Sequence, residues 1–263
     1  MNRRNLFRMG SVAGAALAGM PLSAQPGASS SARSLIEIRK ILFRNNRENK
    51  RAAYLKFLEE AYAPALKRAG VEAMGFFNND VGPEKPHVLC VLSYGPGGAM
   101  TAIQDKLSAD KSYQEACQRI YGKGPVYERV ESSLLRAFPA MPKVEIPKAD
   151  GPQYFELRTY ESDDPVSLSK KIDMFEGGGE IALFRKYGLQ PVFFGEAIVG
   201  GRIPNLTYMV AFPNQAARPE AWRKFATSPE WDKVKRTPGW SDGEVVSSIT
   251  NATYTGLPFS EIR

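Results

Sequence analysis

One histidine, His87, and two cysteines, Cys90 and Cys117, are all that 263 residues offer a soft metal or a histidine-based catalytic set. A zinc site needs three or four such ligands, often as a CxxC pair, and no such spacing occurs. A Ser-His-Asp triad would have to be built around this single imidazole, which follows Pro86 at the start of an apolar run. The residues therefore assign no metal, no cofactor and no catalytic group. Two cysteines are also too few for a disulfide framework. They read as two small buried residues or as one bridge in an oxidising compartment. No apolar stretch reaches the 18 or so residues of a bilayer span, so no stable membrane span is expected after processing. The formal net charge is +7, but no compact Lys/Arg block with interleaved aromatics is present. Nucleic acid is therefore not the expected partner.

The chain does begin with a recognisable address. "NRRNLFR" (2–8), with Arg3 and Arg4, leads into the mild apolar run "MGSVAGAALAGM", broken by Pro21. Paired arginines, bulky apolar residues and a Gly/Ala-rich stretch resemble a bacterial twin-arginine export signal. Cleavage after Ala24, or near Ala28 or Ala32, satisfies the small-residue rule. Residues 1–32 are thus expected to be a signal peptide and flexible lead. The mature protein is expected to be periplasmic or otherwise exported, with a net charge of about +4 once Arg3, Arg4 and Arg8 are gone.

The remainder of the chain is a duplication. Glu37 and Glu156 lie 119 residues apart, and Gly70 of "LKRAG" and Gly188 of "FRKYG" lie 118 apart. "PHVLCVLSY" (86–94) and "PNLTYMVAF" (204–212) align at the same offset, as do "ADKSY" and "SPEWD". Each copy reads strand, helix, strand, strand, helix, strand, the ferredoxin-like βαββαβ pattern. The organisation is a first repeat over 33–138, a Pro-rich linker over 139–152 and a second repeat over 153–263. The fold class is α+β, with the two tandem ferredoxin-like repeats expected to pack against each other across a pseudo-twofold axis.

Each copy opens on a strand bearing Glu-x-Arg: "IEIRKIL" with Glu37 and Arg39, "YFELRTY" with Glu156 and Arg158. Alternation places Tyr154, Glu156, Arg158 and Tyr160 on one face, Phe155, Leu157 and Thr159 on the other. The apolar face is expected under the helices. The Glu-x-Arg face is expected in the seam between copies, because a bare sheet face would be a large exposed patch. Cross-seam pairs, Glu37 with Arg158 and Glu156 with Arg39, are the expected way to neutralise it. These four residues are also the candidate ligand-binding set, as polar handles inside a small-molecule cavity. His87, opposite Asn205 in the repeat, reads as a rim residue satisfied by local hydrogen bonds rather than a haem ligand. "EGGGE" (176–180) lacks the Lys-Ser/Thr of a P-loop and reads as a break between helices. Trp222, Trp231 and Trp240 read as packing anchors.

"YFELRTY", "MFEGGGEIALFRKYGLQPVFFGEAIVGGRIPNLTYMVAF" and "PEAWRKFATSPEWDKVK" together resemble the NIPSNAP family, well over 153–260 and as a diverged copy over 34–138. The resemblance implies the dimeric α+β barrel fold and brings no agreed catalytic residues. The expected role is an exported NIPSNAP-type protein that binds a small hydrophobic or amphipathic molecule or acts as an assembly module. No protein partner is indicated. The rival is a cofactor-independent oxygenase of the α+β barrel type, which rests on fold analogy.

Overall fold

The computed structural model describes residues 33–47, 49–96, 99–148 and 153–263. Arg3, Arg4 and the rest of the export signal lie outside the described residues.

The first copy runs β1 (Ser34–Leu42), α1 (Arg51–Phe57), a π-helical stretch (Leu58–Tyr62), α2 (Ala63–Ala69), β2 (Ala73–Val81), β3 (His87–Pro96), α3 (Ala99–Ala109), α4 (Lys111–Tyr121) and β4 (Arg129–Ala137). The second runs β5 (Tyr154–Glu161), α5 (Pro165–Glu176), α6 (Glu180–Lys186), β6 (Gln190–Val199), β7 (Asn205–Phe212), α7 (Ala217–Ala226), α8 (Pro229–Lys235), α9 (Asp242–Val245) and β8 (Ser248–Gly256). The landmark glycines act where a side chain is disfavoured: Gly70 and Gly188 stop their helices at φ 96° and 86°. Gly179, at φ 74°, re-enters the helix after the "EGGGE" break.

Eight strands close into one barrel in the order β1-β3-β2-β8-β5-β7-β6-β4. Every neighbouring pair is antiparallel. The order interleaves two ferredoxin-like sheets through β2–β8 and β4–β6, so the pseudo-twofold runs along the barrel axis and no sheet edge is left open. Tandem ferredoxin-like repeats forming an intramolecular α+β barrel are therefore what the sequence folds into.

Three cores divide the apolar residues. One lies between the first sheet and its helices, with Tyr54, Phe57, Leu58, Tyr62 and Phe76. Another lies between the second sheet and its helices, with Phe175, Phe184, Phe194 and Tyr208. The third fills the barrel, with Ile36, Phe77, Leu89, Phe155, Leu157, Phe193 and Ile262. Each copy's tail crosses to the other. After β4, Phe138 N–H bonds Phe194 C=O and Glu145 N–H bonds Val192 C=O; after β8, Leu257 N–H bonds Phe76 C=O and Ile262 N–H bonds Met74 C=O. The tails bring Val144 and Ile262 into the barrel core at one end. Among the described residues, no helix is long and apolar enough to cross a membrane.

Candidate functional site

The two Glu-x-Arg strands do not meet. Phe155 and Leu157 point into the barrel, while Tyr154 and Tyr160 pack under the helices. The expected faces are therefore reversed. Glu37, Arg39, Glu156 and Arg158 lie between sheet and helices, each pair within its own copy, and the expected cross-seam pairs do not form. Residues two apart on a strand are ~6.5–7 Å apart at Cα, but an arginine is long enough to fold back. Arg39 Nη2 donates to both Glu37 oxygens at 2.9 Å, and Arg158 Nη1 reaches Glu156 Oε1 at 3.3 Å. The barrel interior, with no helix to supply donors, takes the apolar face instead.

Helices and neighbouring strands complete each cluster. Arg39 Nη1 donates to Tyr62 Oη at 2.8 Å, and Glu37 also accepts from Tyr94 and Ser132 hydroxyls. Glu156 accepts from Arg218 Nε and Nη2 at 2.9 and 2.8 Å and from Trp222 Nε1 at 2.6 Å. Arg158 lies over the Trp222 ring, 4.6 Å from its centroid. Trp222 is thus more than a packing anchor: its indole N–H satisfies a buried carboxylate.

The end of the barrel away from the tails holds a cavity. Its mouth is rimmed by the β2–β3 and β6–β7 hairpins, which the pseudo-twofold exchanges. The cavity measures about 360 Å³ and has walls from both copies, including Ile38, Leu157, Ala252, Tyr254, Ser133 and Thr159. His87, the first residue of β3, is buried in this wall at the mouth, 1% exposed. Its Nδ1 is 2.8 Å from Glu84 C=O and its Nε2 3.1 Å from Tyr254 Oη. Burial holds the imidazole below its ordinary pKa, so it is neutral at pH 7, and burial raises Tyr254. Opposite, Thr159 and Thr207 hydroxyls are 2.9 Å apart, and Thr207 reaches Asn205 Oδ1 at 3.3 Å. The lining cations are engaged by carboxylates: Lys40 by Glu84 at 3.0 Å, Arg202 by Glu161 at 3.6 Å.

None of the four candidate ligand residues lines this cavity. His87 is at the mouth with a local hydrogen bond to Glu84, as the sequence suggests, whereas no motif announces Tyr254, Thr159 or Thr207. The available signal was the repeat itself: where the first copy has Leu89 inside the barrel, the second has Thr207.

The fold recurs in solved structures. A monooxygenase candidate from Lactobacillus acidophilus NCFM superposes with a TM-score of 0.59 at 12% identity, over 85% of this chain and 94% of that one. A second monooxygenase candidate, from Fusobacterium nucleatum, gives 0.57 at 6%, over 86% and 94%. An anthrone oxidase-like protein gives 0.50 at 10%, over 87% and 93%. At such identities these likenesses establish the fold alone. The search of curated proteins found no match. By sequence, residues 155–261, which hold nearly all of the second copy, match the NIPSNAP family.

Proposed function

We propose that this is an exported protein whose barrel mouth binds a small amphipathic molecule. The observation that carries the reading is the cavity at the barrel mouth, where polar groups from both copies converge between apolar walls. Its volume lies within the range of small-molecule sites. A purely structural assembly module has no need to leave a cavity in its barrel, since an unpacked interior forfeits dispersion and burial energy. Native mass spectrometry of the mature protein is expected to show a co-purified small molecule. Thr250→Trp, a bulky residue at the mouth, should abolish that species and shift the Tm by no more than about 2 °C. Retention of the bound species in that variant would sink the cavity reading.

A second reading uses the same cavity for cofactor-independent oxygenation. It is favoured by His87, whose neutral ring can take a proton relayed through Tyr254 from an acidic ligand, leaving an anion that dioxygen can oxidise. The oxidase and monooxygenase names of the structural neighbours agree with it. Oxygen uptake with an oxidisable phenol, abolished in His87→Gln, is the expected sign. An uptake rate unchanged by that substitution removes this reading.

Export rests on Arg3, Arg4 and the apolar run after them. Replacing both arginines by lysine is expected to strand the precursor in the cytoplasm, as read by fractionation and immunoblot. Mature protein reaching the periplasm at the normal rate would show that the twin-arginine route is not used.

A further inference from the structure

The hydrogen-bond directions in the barrel mouth restrict what can bind there, and the inference rests on the small-molecule reading of the cavity. Glu84 C=O can only accept, so His87 Nδ1, 2.8 Å away, carries the proton. The ring is neutral, so Nε2 is bare and must accept from Tyr254 O–H at 3.1 Å. The Tyr254 oxygen is left with lone pairs and no hydrogen.

The opposite wall repeats the logic. Asn205, 118 residues on from His87, donates through Nδ2 to Gly201 and Arg202 carbonyls at 3.2 and 3.0 Å. Arg202 is the counterpart of Glu84, and both have φ 60°. The Asn205 side-chain oxygen therefore faces Thr207, whose hydroxyl donates to it at 3.3 Å. Were Thr207 to donate elsewhere, a buried amide oxygen would be orphaned. Thr159 must then donate to Thr207 across 2.9 Å, and its oxygen too is left with lone pairs only.

Two chains of hydrogen bonds thus run outward to equivalent hairpin carbonyls, and each leaves an acceptor at its inner end. A carboxylate has no hydrogen to give either acceptor, and the lining cations Lys40 and Arg202 already face Glu84 at 3.0 Å and Glu161 at 3.6 Å. We infer that the mouth selects a neutral ligand with an apolar body and two hydroxyl groups, donated to Tyr254 Oη and Thr159 Oγ1, and discriminates against ethers and carboxylates of the same shape.

The test is fluorescence titration of the mature protein with 2,6-dihydroxynaphthalene, its dimethyl ether and naphthalene-2,6-dicarboxylate. The diol is expected to bind roughly tenfold to hundredfold more tightly than either analogue, since each buried acceptor left unmet is costly. Tyr254→Phe and Thr159→Val should each erode that preference, weakening the diol, which loses an acceptor, and tightening the ether, which no longer leaves one unmet. Thr159→Val provides the answer if Tyr254→Phe fails to fold. Equal binding of diol and ether overturns the inference and leaves the cavity reading standing, as does tighter binding of the dicarboxylate. Failure of all three probes to bind overturns the cavity reading and the inference with it.

Discussion

Arg39→Met is expected to cost about 3 kcal/mol of stability, and Arg158→Met only about 1, although the two arginines occupy equivalent strand positions. Glu37 has Arg39 as its cation, with Tyr94 and Ser132 supplying neutral hydroxyls. Removing Arg39 strands a buried carboxylate, and breaking a buried pair costs ~3–5 kcal/mol. The lower end applies because the Arg39 side chain is 25% exposed. Glu156 keeps Arg218 and Trp222 when Arg158 is lost. What disappears is one long hydrogen bond and the cation–π contacts with the Trp222 and Tyr160 rings, the nearer of ~0.5–1 kcal/mol, together with a buried Nε that has no partner among the described residues. In a body of this size 3 kcal/mol is roughly 6–12 °C in Tm. Adding Glu37→Gln to Arg39→Met should recover part of the loss, whereas combining Arg39→Met with Glu156→Gln should be additive within ~0.5 kcal/mol. Coupling between Arg39 and Glu156 of more than ~1 kcal/mol would mean that the pairs cross the seam after all.

The duplication and the barrel were legible because the features that repeat are the ones packing demands. Gly70 and Gly188 stand where a helix stops in a left-handed conformation, and "HVLCVLSY" and "LTYMVAF" are buried on both faces, as interior strands of a barrel with an outer helix layer must be. That same double burial hid the orientation of the strands. When both faces are covered, alternation separates two sets of side chains without saying which set goes inside. The deciding partners of Glu156 come from α7, 62 and 66 residues further on, and no local pattern announces them. The cavity was illegible for a different reason. It is the space left at the end that the two tails do not reach, a sum over many side-chain volumes. Only the directional parts of the site, His87 opposite Asn205 and Leu89 opposite Thr207, carried a trace in the repeat.

The second copy also holds a buried carboxyl that makes stability depend on pH. Glu180, at the start of α6, is 3% exposed, and its Oε2 has no hydrogen-bond partner among the described residues. Lys171 of α5 is 3.7 Å away but only 2.9 Å from Asp242 at the head of α9. The other groups acting on Glu180 are Arg158 of β5 and Asp242 itself. Burial outweighs the pull of Lys171 and pushes the Glu180 carboxyl up to about 7, from 4.5. Burial opposes the charge on Lys171 as well, but Glu180 and Asp242 outweigh it and leave that amine above its ordinary value, so it stays charged throughout. A carboxyl raised on folding favours the protonated form. Its contribution is complete below about 4.5 and lost as the pH rises through about 7. The shift corresponds to about 3 kcal/mol at most. Glu180→Gln keeps the shape and removes the titration. The variant should match the wild type near pH 4 and exceed it by up to about 3 kcal/mol at pH 8, measured as the difference between paired urea-unfolding curves. Taking the difference cancels carboxyls shifted the other way, such as Glu230, which Lys186 holds near 2 and whose contribution fades only as the pH falls. A difference that stays constant from pH 4 to 8 would show that Glu180 is already ionised in the folded protein, paired with Lys171 rather than neutral beside it.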